Sequence, residues 1–151
     1  MKINHKSVLI YSDKNLNLIC IPTGKSKNFG GAIMGLDIVH ELKYPYSNDE
    51  LENTLMISMN ECYSQVPINT TEKSSLERYL NINGFSKAVK NKKLIAFEWD
   101  CDDYYYIVPT AKIPKRGYVD MEDKKIILGI EIKKGKLAEG IKEAICLSIT
   151  Y

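Results

Sequence analysis

The sequence predicts an α/β (α+β) fold, in which a mostly antiparallel sheet with packed helices is built from two pseudo-repeated β-β-β-α halves. Three observations support this prediction: hairpin-like sequence that recurs along the chain, two helices with matching apolar stripes, and a balanced composition. The chain has 151 residues, of which 44% are hydrophobic and 26% are charged. A chain of this length hides roughly 70% of its unfolded surface on folding. We therefore expect one globular domain over residues 1–151.

The repeat is clearest in two hairpin-like segments that lie 87 residues apart. Five positions of the first segment match positions of the second, namely Asp13 with Asp100, Ile21 with Val108, Pro22 with Pro109, Thr23 with Thr110 and Lys25 with Lys112. Each segment is typical of a strand, a polar turn and a second strand that ends at Pro-Thr, where proline is tolerated. Two unrelated hairpins could also share a few positions by coincidence. The shared Pro-Thr-x-Lys at a matching distance from a shared Asp favours a repeat.

Each hairpin is followed downstream by a helix with one apolar face. The apolar positions recur at i, i+4 and i+8 in both copies, as Leu51, Leu55 and Met59 and as Leu137, Ile141 and Ile145. This spacing predicts helices over Asp49–Ser64 and Lys136–Ser148, each packing its stripe onto the sheet. Ser47 and Glu50 form a capping-box pattern at the first start, whereas the second helix begins after Gly135 without an acidic cap.

The remaining elements are a third strand in each half and a connector between the halves. We expect the third strands over about Gly31–Glu41 and Lys124–Lys133. The second of them is nearly continuous apolar sequence, which predicts a strand buried on both faces or nearly so. The connector should be a helix that begins at Thr71-Glu72-Lys73-Ser74, with an apolar face of Leu76, Tyr79 and Leu80. A break at Gly84 and one more turn over 85–89 should follow it.

Composition and motifs exclude several classes of function. Lys plus Arg is 21 and Asp plus Glu is 19, so the net charge is only +2, which argues against a dedicated nucleic-acid binder. No apolar run approaches the ~18 residues of a membrane span. The N-terminus lacks the apolar segment of a signal peptide, so we expect a cytoplasmic protein without membrane association.

Cysteines and histidines are isolated in the sequence. No C-x-x-C pair occurs among the four cysteines, so we expect free thiols, with Cys20 and Cys146 as small core residues. The two histidines, His5 and His40, belong to no recognisable catalytic pattern, and no phosphate-binding or nucleophile motif is present. We therefore expect no enzyme activity, no metal and no cofactor.

A cluster of acidic and aromatic residues stands out in the second hairpin. Its carboxylates are Glu98, Asp100, Asp102 and Asp103, and its aromatic residues are Trp99, Tyr104, Tyr105 and Tyr106. Strand alternation places Glu98 and Asp100 on the face opposite Trp99. A solvated hairpin tip, a protein-binding surface, and a metal or catalytic site are all compatible with this composition. Lysines late in the chain could bind phosphate or protect sheet edges from pairing.

The order of elements resembles that of the CdiI-type immunity proteins of bacterial contact-dependent growth inhibition. Four segments within residues 7–148 carry the resemblance, namely Asp49-Glu50-Leu51, the connector Leu76…Gly84-Phe85-Ser86, Ile107-Val108-Pro109-Thr110 and Gly135-Lys136-Leu137-Ala138-Glu139-Gly140-Ile141. Glu52 and Ala138 stand where the family often has glycine after the helix-opening leucine.

The resemblance implies a cytosolic antidote that performs no reaction. Such a protein binds the toxic C-terminal domain of a sibling's surface effector, often a nuclease, and blocks it stoichiometrically. The residues that we expect to contact the toxin are Glu98, Trp99, Asp100, Asp102, Asp103, Tyr104 and Tyr106. Two other classes remain open from the residues alone: a small-molecule-binding or regulatory α/β domain, and a metal-dependent hydrolase that uses the carboxylates.

Overall fold

The structure is a computed structural model that describes residues 2–27, 29–67 and 73–150, without the side chain of Phe29. Its strands are β1 (His5–Ser12), β2 (Leu18–Lys25), β3 (Ile33–Gly35), β4 (His40–Leu42), β5 (Lys93–Asp100), β6 (Tyr104–Ile113), β7 (Gly117–Asp120), β8 (Ile126–Gly129) and β9 (Ile149–Thr150). Its helices are α1 (Asn48–Glu61), α2 (Ser75–Leu80), α3 (Phe85–Ala88) and α4 (Lys136–Leu147), with short 3-10 turns over Phe29–Gly31 and Glu122–Lys124.

All the strands belong to one curled sheet that includes both hairpins. The central order is β3-β2-β1-β5-β6-β7, with β4 also paired to β2, and β8 and β9 also paired to β6. Every pairing is antiparallel except that of β9 with β6. The predicted fold class, a mostly antiparallel sheet with packed helices, is confirmed.

The two halves meet at the pairing of β1 with β5. In this pairing Val8 lies opposite Phe97, and Ile10 lies opposite Ile95. Val8 and Ile95 are 87 residues apart, and so are Ile10 and Phe97, so the repeat offset converts the first pair into the second. The central pair, Leu9 with Ala96, therefore marks a pseudo-twofold axis that relates the halves.

The repeated threonines make the same hydrogen bond in both halves. The Thr23 hydroxyl donates to the carbonyl oxygen of Ser7 at 2.6 Å, and the Thr110 hydroxyl donates to that of Leu94 at 2.6 Å. Ser7 and Leu94 are themselves 87 residues apart. Each threonine follows a proline that has no N–H to donate, and its hydroxyl ties the second strand of the hairpin to the first.

Helices α1 and α4 cover one face of the sheet and complete the main core. The six predicted stripe residues are all buried, namely Leu51, Leu55, Met59, Leu137, Ile141 and Ile145. They pack against alternate residues of the central strands, which include Val8, Ile10, Ile95 and Phe97. Both helices therefore share one core, as the matching stripes predicted.

The two helix starts are capped in different ways. The Ser47 hydroxyl accepts the Glu50 N–H of α1 at 3.0 Å. At the start of α4 the N-cap residue Gly135 has a left-handed backbone and no side chain to use as a cap. The carboxylate of Glu52, on α1, replaces it by accepting the Gly135 N–H at 3.1 Å and the Ala138 N–H at 3.0 Å. The cap that the local sequence lacks thus comes from the other helix.

The connector covers the opposite face of the sheet in the first half. Its Leu76, Ala88 and Val89 pack against β1 and β2. Helix α2 begins with a capping box at Ser74, whereas the predicted start at Thr71 and Glu72 lies outside the described residues. The break at Gly84 and the following turn are confirmed.

The expectation that Tyr79 lies on the buried face of the connector is wrong. Its ring is 42% exposed, because the hydroxyl reaches out to the carboxylate of Glu41.

The predicted third strands are shorter than expected and are broken. In place of Gly31–Glu41 there are β3 and β4, which pair with opposite ends of β2. In the second half β7, which the sequence did not predict, and β8 do the same along β6. The expected burial over Lys124–Lys133 is also wrong, since among the described residues β8 pairs with β6 alone, and Ile127 is 58% exposed.

One of the two predicted core cysteines is misplaced. Cys20 is fully buried, and this burial raises its pKa to about 12, whereas Cys146 is exposed. Cys146 lies one position beyond the buried Ile145, and a step of one residue around a helix turns a side chain away from the core. Cys62 is buried instead, and all four cysteines are free thiols, as expected.

Replacing either repeated threonine by valine should destabilise the protein by a similar amount, about 1–2 kcal/mol. Both hydroxyls are buried and donate to equivalent carbonyl oxygens, so Thr23→Val and Thr110→Val remove the same interaction. Urea denaturation of the two variants would measure the loss, with the corresponding serine variants as hydroxyl-retaining controls. A large loss at one position and none at the other would contradict the equivalence of the two halves.

Replacing Glu52 by alanine should destabilise the protein by about 1 kcal/mol, because α4 then loses the acceptor for two N–H groups and a negative charge at its positive end. Glu52→Gln, which keeps one acceptor oxygen, should lie between alanine and wild type. Glu143→Ala, an exposed position on α4, serves as the control in urea denaturation. Equal stabilities of the Glu52→Ala and Glu143→Ala variants would show that the cap contributes nothing.

Candidate functional site

The two halves differ on the face of the sheet that α1 and α4 do not cover. In the first half the connector helices lie over this face. In the second half the face holds a small cluster of Ala96, Tyr106 and Val108, to which no described helical residue belongs. We call this part of the sheet, with the polar side chains around it, the outer face.

Carboxylates from three segments surround the outer face. They are Glu98 and Asp100 on β5, Asp102 and Asp103 in the turn, and Asp120 and Glu122 at the end of β7 and just after it. Burial, and then the negative charges of Glu98 and Glu122, raise the pKa of Asp120 above its ordinary value. Asp120 is therefore close enough to Glu98 and Glu122 to interact with them, although β5 and β7 are not neighbours in the sheet.

Asp100 closes the turn between β5 and β6. Its Oδ1 accepts the backbone N–H of Asp102 at 2.9 Å and that of Asp103 at 2.5 Å. These hydrogen bonds, the one from Asp103 above all, lower the pKa of the Asp100 carboxyl. Asp103 is held by Lys125 at 2.8 Å, whereas the Asp102 carboxylate has no ion pair within the described residues. The turn geometry supports the interpretation of a solvated hairpin tip.

The predicted aromatic anchors lie in three different environments. Trp99 points to the helix-covered face and packs against the main core, so it does not share a surface with the carboxylates. Tyr106 is only 6% exposed, and Lys125 Nζ lies 4.1 Å from the centre of its ring. Burial, with the nearby charge of Glu98, raises the pKa of Tyr106 strongly. Tyr106 is therefore the floor of the outer face, and only Tyr104 is exposed beside the carboxylates.

Sequence reasoning missed His5, Asp120 and Glu122 at this surface. His5 lies opposite Asp100 in the pairing of β1 with β5, and its Nε2 is 3.5 Å from the Glu98 carboxylate. The hydrogen bond to Glu98 raises the pKa of His5 above 6.5, against the opposing effect of burial. The 87-residue repeat could have predicted the position of His5. A twofold axis between the hairpins fixes the register in which β1 pairs with β5, and this register sets His5 opposite Asp100.

No three His, Cys, Asp or Glu side chains stand close enough to hold a metal ion within residues 2–27, 29–67 and 73–150. In the same residues, no helix combines the length and the apolar character that crossing a membrane requires.

Two apolar cavities flank the helices on the opposite side of the sheet. One, of about 300 Å³, is lined by residues that include Met56, Tyr105, Ile130, Ile132 and Leu137. The other, of about 350 Å³, is lined by residues that include Leu16, Tyr44, Tyr46, Ile145 and Cys146. The pseudo-twofold relates them, because the segment after β8 packs beside α1, and the equivalent segment after β4 packs beside α4.

Comparison with known proteins gives a fold and no family. No protein-family model and no curated protein matches the chain. Among solved structures, the chain is similar to the protein of unknown function NMB0488 from Neisseria meningitidis, with a TM-score of 0.70 and 12% sequence identity. The match covers 98% of this chain and 99% of the Neisseria chain. At this identity the likeness shows a shared fold alone.

The pKa of His5 should lie above 6.5 in the folded protein and should fall when Glu98 is replaced by glutamine. Because the folded pKa is raised, the stabilisation is fully present below the unfolded pKa and is lost as the pH rises through the folded one. The stability difference between wild type and Glu98→Gln should therefore be larger near about pH 6 than near about pH 8.

An NMR titration of the imidazole and urea denaturation at both pH values would measure this. His40→Asn leaves His5 as the only histidine and assigns its signal. A His5 pKa that does not change in the Glu98→Gln variant would contradict the contact.

Proposed function

We propose that this protein is a cytoplasmic immunity protein of the contact-dependent growth inhibition type. It binds the toxic C-terminal domain of an effector, which we take to be a nuclease, and inhibits it stoichiometrically without catalysing a reaction. The resemblance in the order and sequence of the elements motivates the proposal. The single structural observation that supports it best is the ring of carboxylates around the outer face, which no described helix covers.

The outer face concentrates negative charge in a protein whose net charge is +2. A nuclease binds a polyanion and therefore presents a basic surface. A local acidic face is complementary to such a surface, steers association, and disfavours partners of the wrong charge. The overall composition hides this local excess of carboxylates, although Lys125 lies on the same face and offsets one charge by pairing with Asp103.

The geometry changes the roles of the candidate residues. Asp100 shapes the turn, Tyr106 supports the sheet, and Trp99 belongs to the helix side, so these three act on a toxin indirectly in our proposal. The exposed carboxylates of Asp102 and Glu122 can meet a basic partner, and Tyr104, which follows the turn that holds Asp102, is the aromatic contact. Carboxylates at the rim of an interface act mainly on the association rate.

Replacing Asp102 and Glu122 together by lysine should slow binding of the toxin domain by about tenfold or more at low salt, with a smaller effect at high salt. The partner is the toxin domain encoded directly upstream of the immunity gene. The matched control is Glu139→Lys with Glu143→Lys, which makes the same charge change on the exposed surface of α4. Association rates from surface plasmon resonance and protection of growing cells that express the toxin domain are the two measurements.

The outcomes distinguish an error in the proposed interface from an error in the proposed function. If the control pair slows binding as much as the outer-face pair, the effect is one of net charge and the interface lies elsewhere. If the wild-type protein neither binds nor protects against the upstream toxin domain, the immunity function is wrong. A small-molecule-binding function then comes first, and the cavity of about 350 Å³ beside Tyr44 is the place to test it.

A further inference from the structure

Besides the two apolar cavities, a cavity of about 320 Å³ lies between the connector and the hairpin of β6 and β7. Phe85 and Val89 of the connector line one side of it, and Lys112 and Tyr118 line the other. We call it the connector cavity. Its volume is at the lower end of the range for small-molecule sites, so it suits a small ligand. None of its lining residues belongs to the cluster at the centre of the outer face.

Lys112 is not a lysine that protects a sheet edge. Lysines at an edge strand keep it from pairing with another chain. Lys112 instead lies on an interior strand, opposite Tyr118 of β7 on one side and Thr150 of β9 on the other. Of the two roles that the sequence leaves open for the late lysines, edge protection therefore does not apply to Lys112, and phosphate binding remains.

The Lys112 ammonium is half-buried and has no carboxylate partner. Its Nζ donates to the carbonyl oxygen of Val89 at 2.6 Å and lies 5.5 Å from the centre of the Tyr118 ring. Burial, and then the charge of Lys92, lower the pKa of Lys112. Within the described residues no ion pair includes this side chain. A charge that is partly removed from water is stabilised by a partner of opposite charge, and here the chain supplies none.

Both segments that form the cavity are free of acidic residues. No Asp or Glu occurs over 78–97 or over 104–119, and these two ranges contain six lysines and two arginines. Of these eight cations only Arg78 forms an ion pair within the described residues, with Asp37. The connector cavity therefore lies in a local excess of positive charge.

Carboxylates from other segments do not neutralise this excess at Lys112. Glu77 belongs to the capping box of α2 and accepts the Gly84 N–H at 3.0 Å. Asp13 closes the turn after β1 and is near enough to Lys92 to interact with its charge. Asp120, farther along β7, interacts with other carboxylates. None of these three carboxylates is among the groups that act on Lys112.

The charge and the lining of the cavity favour one class of ligand. Lys115 lines it together with Lys112, so two ammonium groups are available to one anion. A phosphate monoester carries about two negative charges at neutral pH, whereas a carboxylate or a sulfonate carries one. Phe85, on the other side of the cavity, is 42% exposed and offers a ring on which a planar group can stack.

We propose that the connector cavity binds a small phosphate monoester that carries a planar ring. The phosphate pairs with Lys112 and Lys115, and the ring packs against Phe85. This chemistry occurs in free nucleotides and in the phosphotyrosine side chains of proteins. The proposal does not depend on the immunity function.

An NMR titration of the whole protein with three probes tests the proposal. Phenyl phosphate has both the ring and the dianion, benzenesulfonate has the ring with one charge, and inorganic phosphate has no ring. Phenyl phosphate should shift amides within 85–89 and 112–118, and it should bind about tenfold more tightly than either of the other probes. Adenosine monophosphate and a phosphotyrosine peptide, titrated in the same way, distinguish the two sources by which of them binds more tightly.

Variants of the two sides of the cavity locate the binding. Lys112→Met keeps the apolar stem and should weaken binding of phenyl phosphate by about tenfold or more. The matched control is Lys25→Met, because Lys25 is exposed and stands at the equivalent position of the repeat; it should bind as wild type does. Phe85→Leu should weaken binding of phenyl phosphate and leave that of inorganic phosphate unchanged. Lys115→Gln, in the turn after β6, provides the same test of charge if Lys112→Met does not fold.

Several results would overturn the proposal. Phenyl phosphate could shift none of these amides up to millimolar concentration, or benzenesulfonate could bind equally well. Equal weakening by Lys25→Met and Lys112→Met would show an effect of net charge alone. A single-stranded oligonucleotide that binds far more tightly than phenyl phosphate and shifts amides beyond the cavity would show that the basic surface binds a nucleic acid and not a small molecule.

Discussion

The antiparallel pairing of β1 with β5 connects the two halves, and the remaining elements take their places from it. It joins two hairpins that are 87 residues apart into one sheet, with Leu9 and Ala96 at the pseudo-twofold. Because side chains alternate along both strands, this register places Val8, Ile10, Ile95 and Phe97 together on one face. A shift of one residue would send them to the other face and destroy the core. The register also places His5 beside the acidic residues of β5.

The helices depend on the same pairing, because it brings α1 and α4 over one core. Only in that arrangement can the carboxylate of Glu52 reach the N-terminal N–H groups of α4. The second helix starts at a glycine without a cap of its own and is therefore completed by the first helix. The contact lies between a pair of equivalent positions, since residues 52 and 138 are 86 apart. The first helix carries its own cap, and the second helix, which lacks one, is capped by the first where the two helices meet.

Features encoded in local periodicity could be predicted from the sequence, and features that depend on tertiary neighbours could not. The stripe from Leu51 to Met59 predicted a buried helix face. Pro-Thr predicted equivalent positions in the two hairpins, but the expectation that the strands end there is wrong, since β2 and β6 continue to Lys25 and Ile113. The run after Lys125 misled, because five isoleucines or leucines predict burial whether or not a second strand exists to cover them. At the candidate surface, alternation placed Glu98 and Trp99 on opposite faces. Asp120 and Glu122 reach this surface through the curl of the sheet, which no local sequence pattern predicts.

The halves are most informative where they differ. In the first half α2 and α3 cover the outer side of the sheet, and the edge of β4 is engaged by Glu61 and Tyr79. In the second half no described helix covers the equivalent face, carboxylates surround it, and β8 leaves Ile127 exposed. Part of the acidic face supports the fold, because Asp100 closes the turn, Asp103 pairs with Lys125 and Glu98 contacts His5. The exposed carboxylates of Asp102 and Glu122 remain, and they are the ones that our proposal assigns to a basic partner.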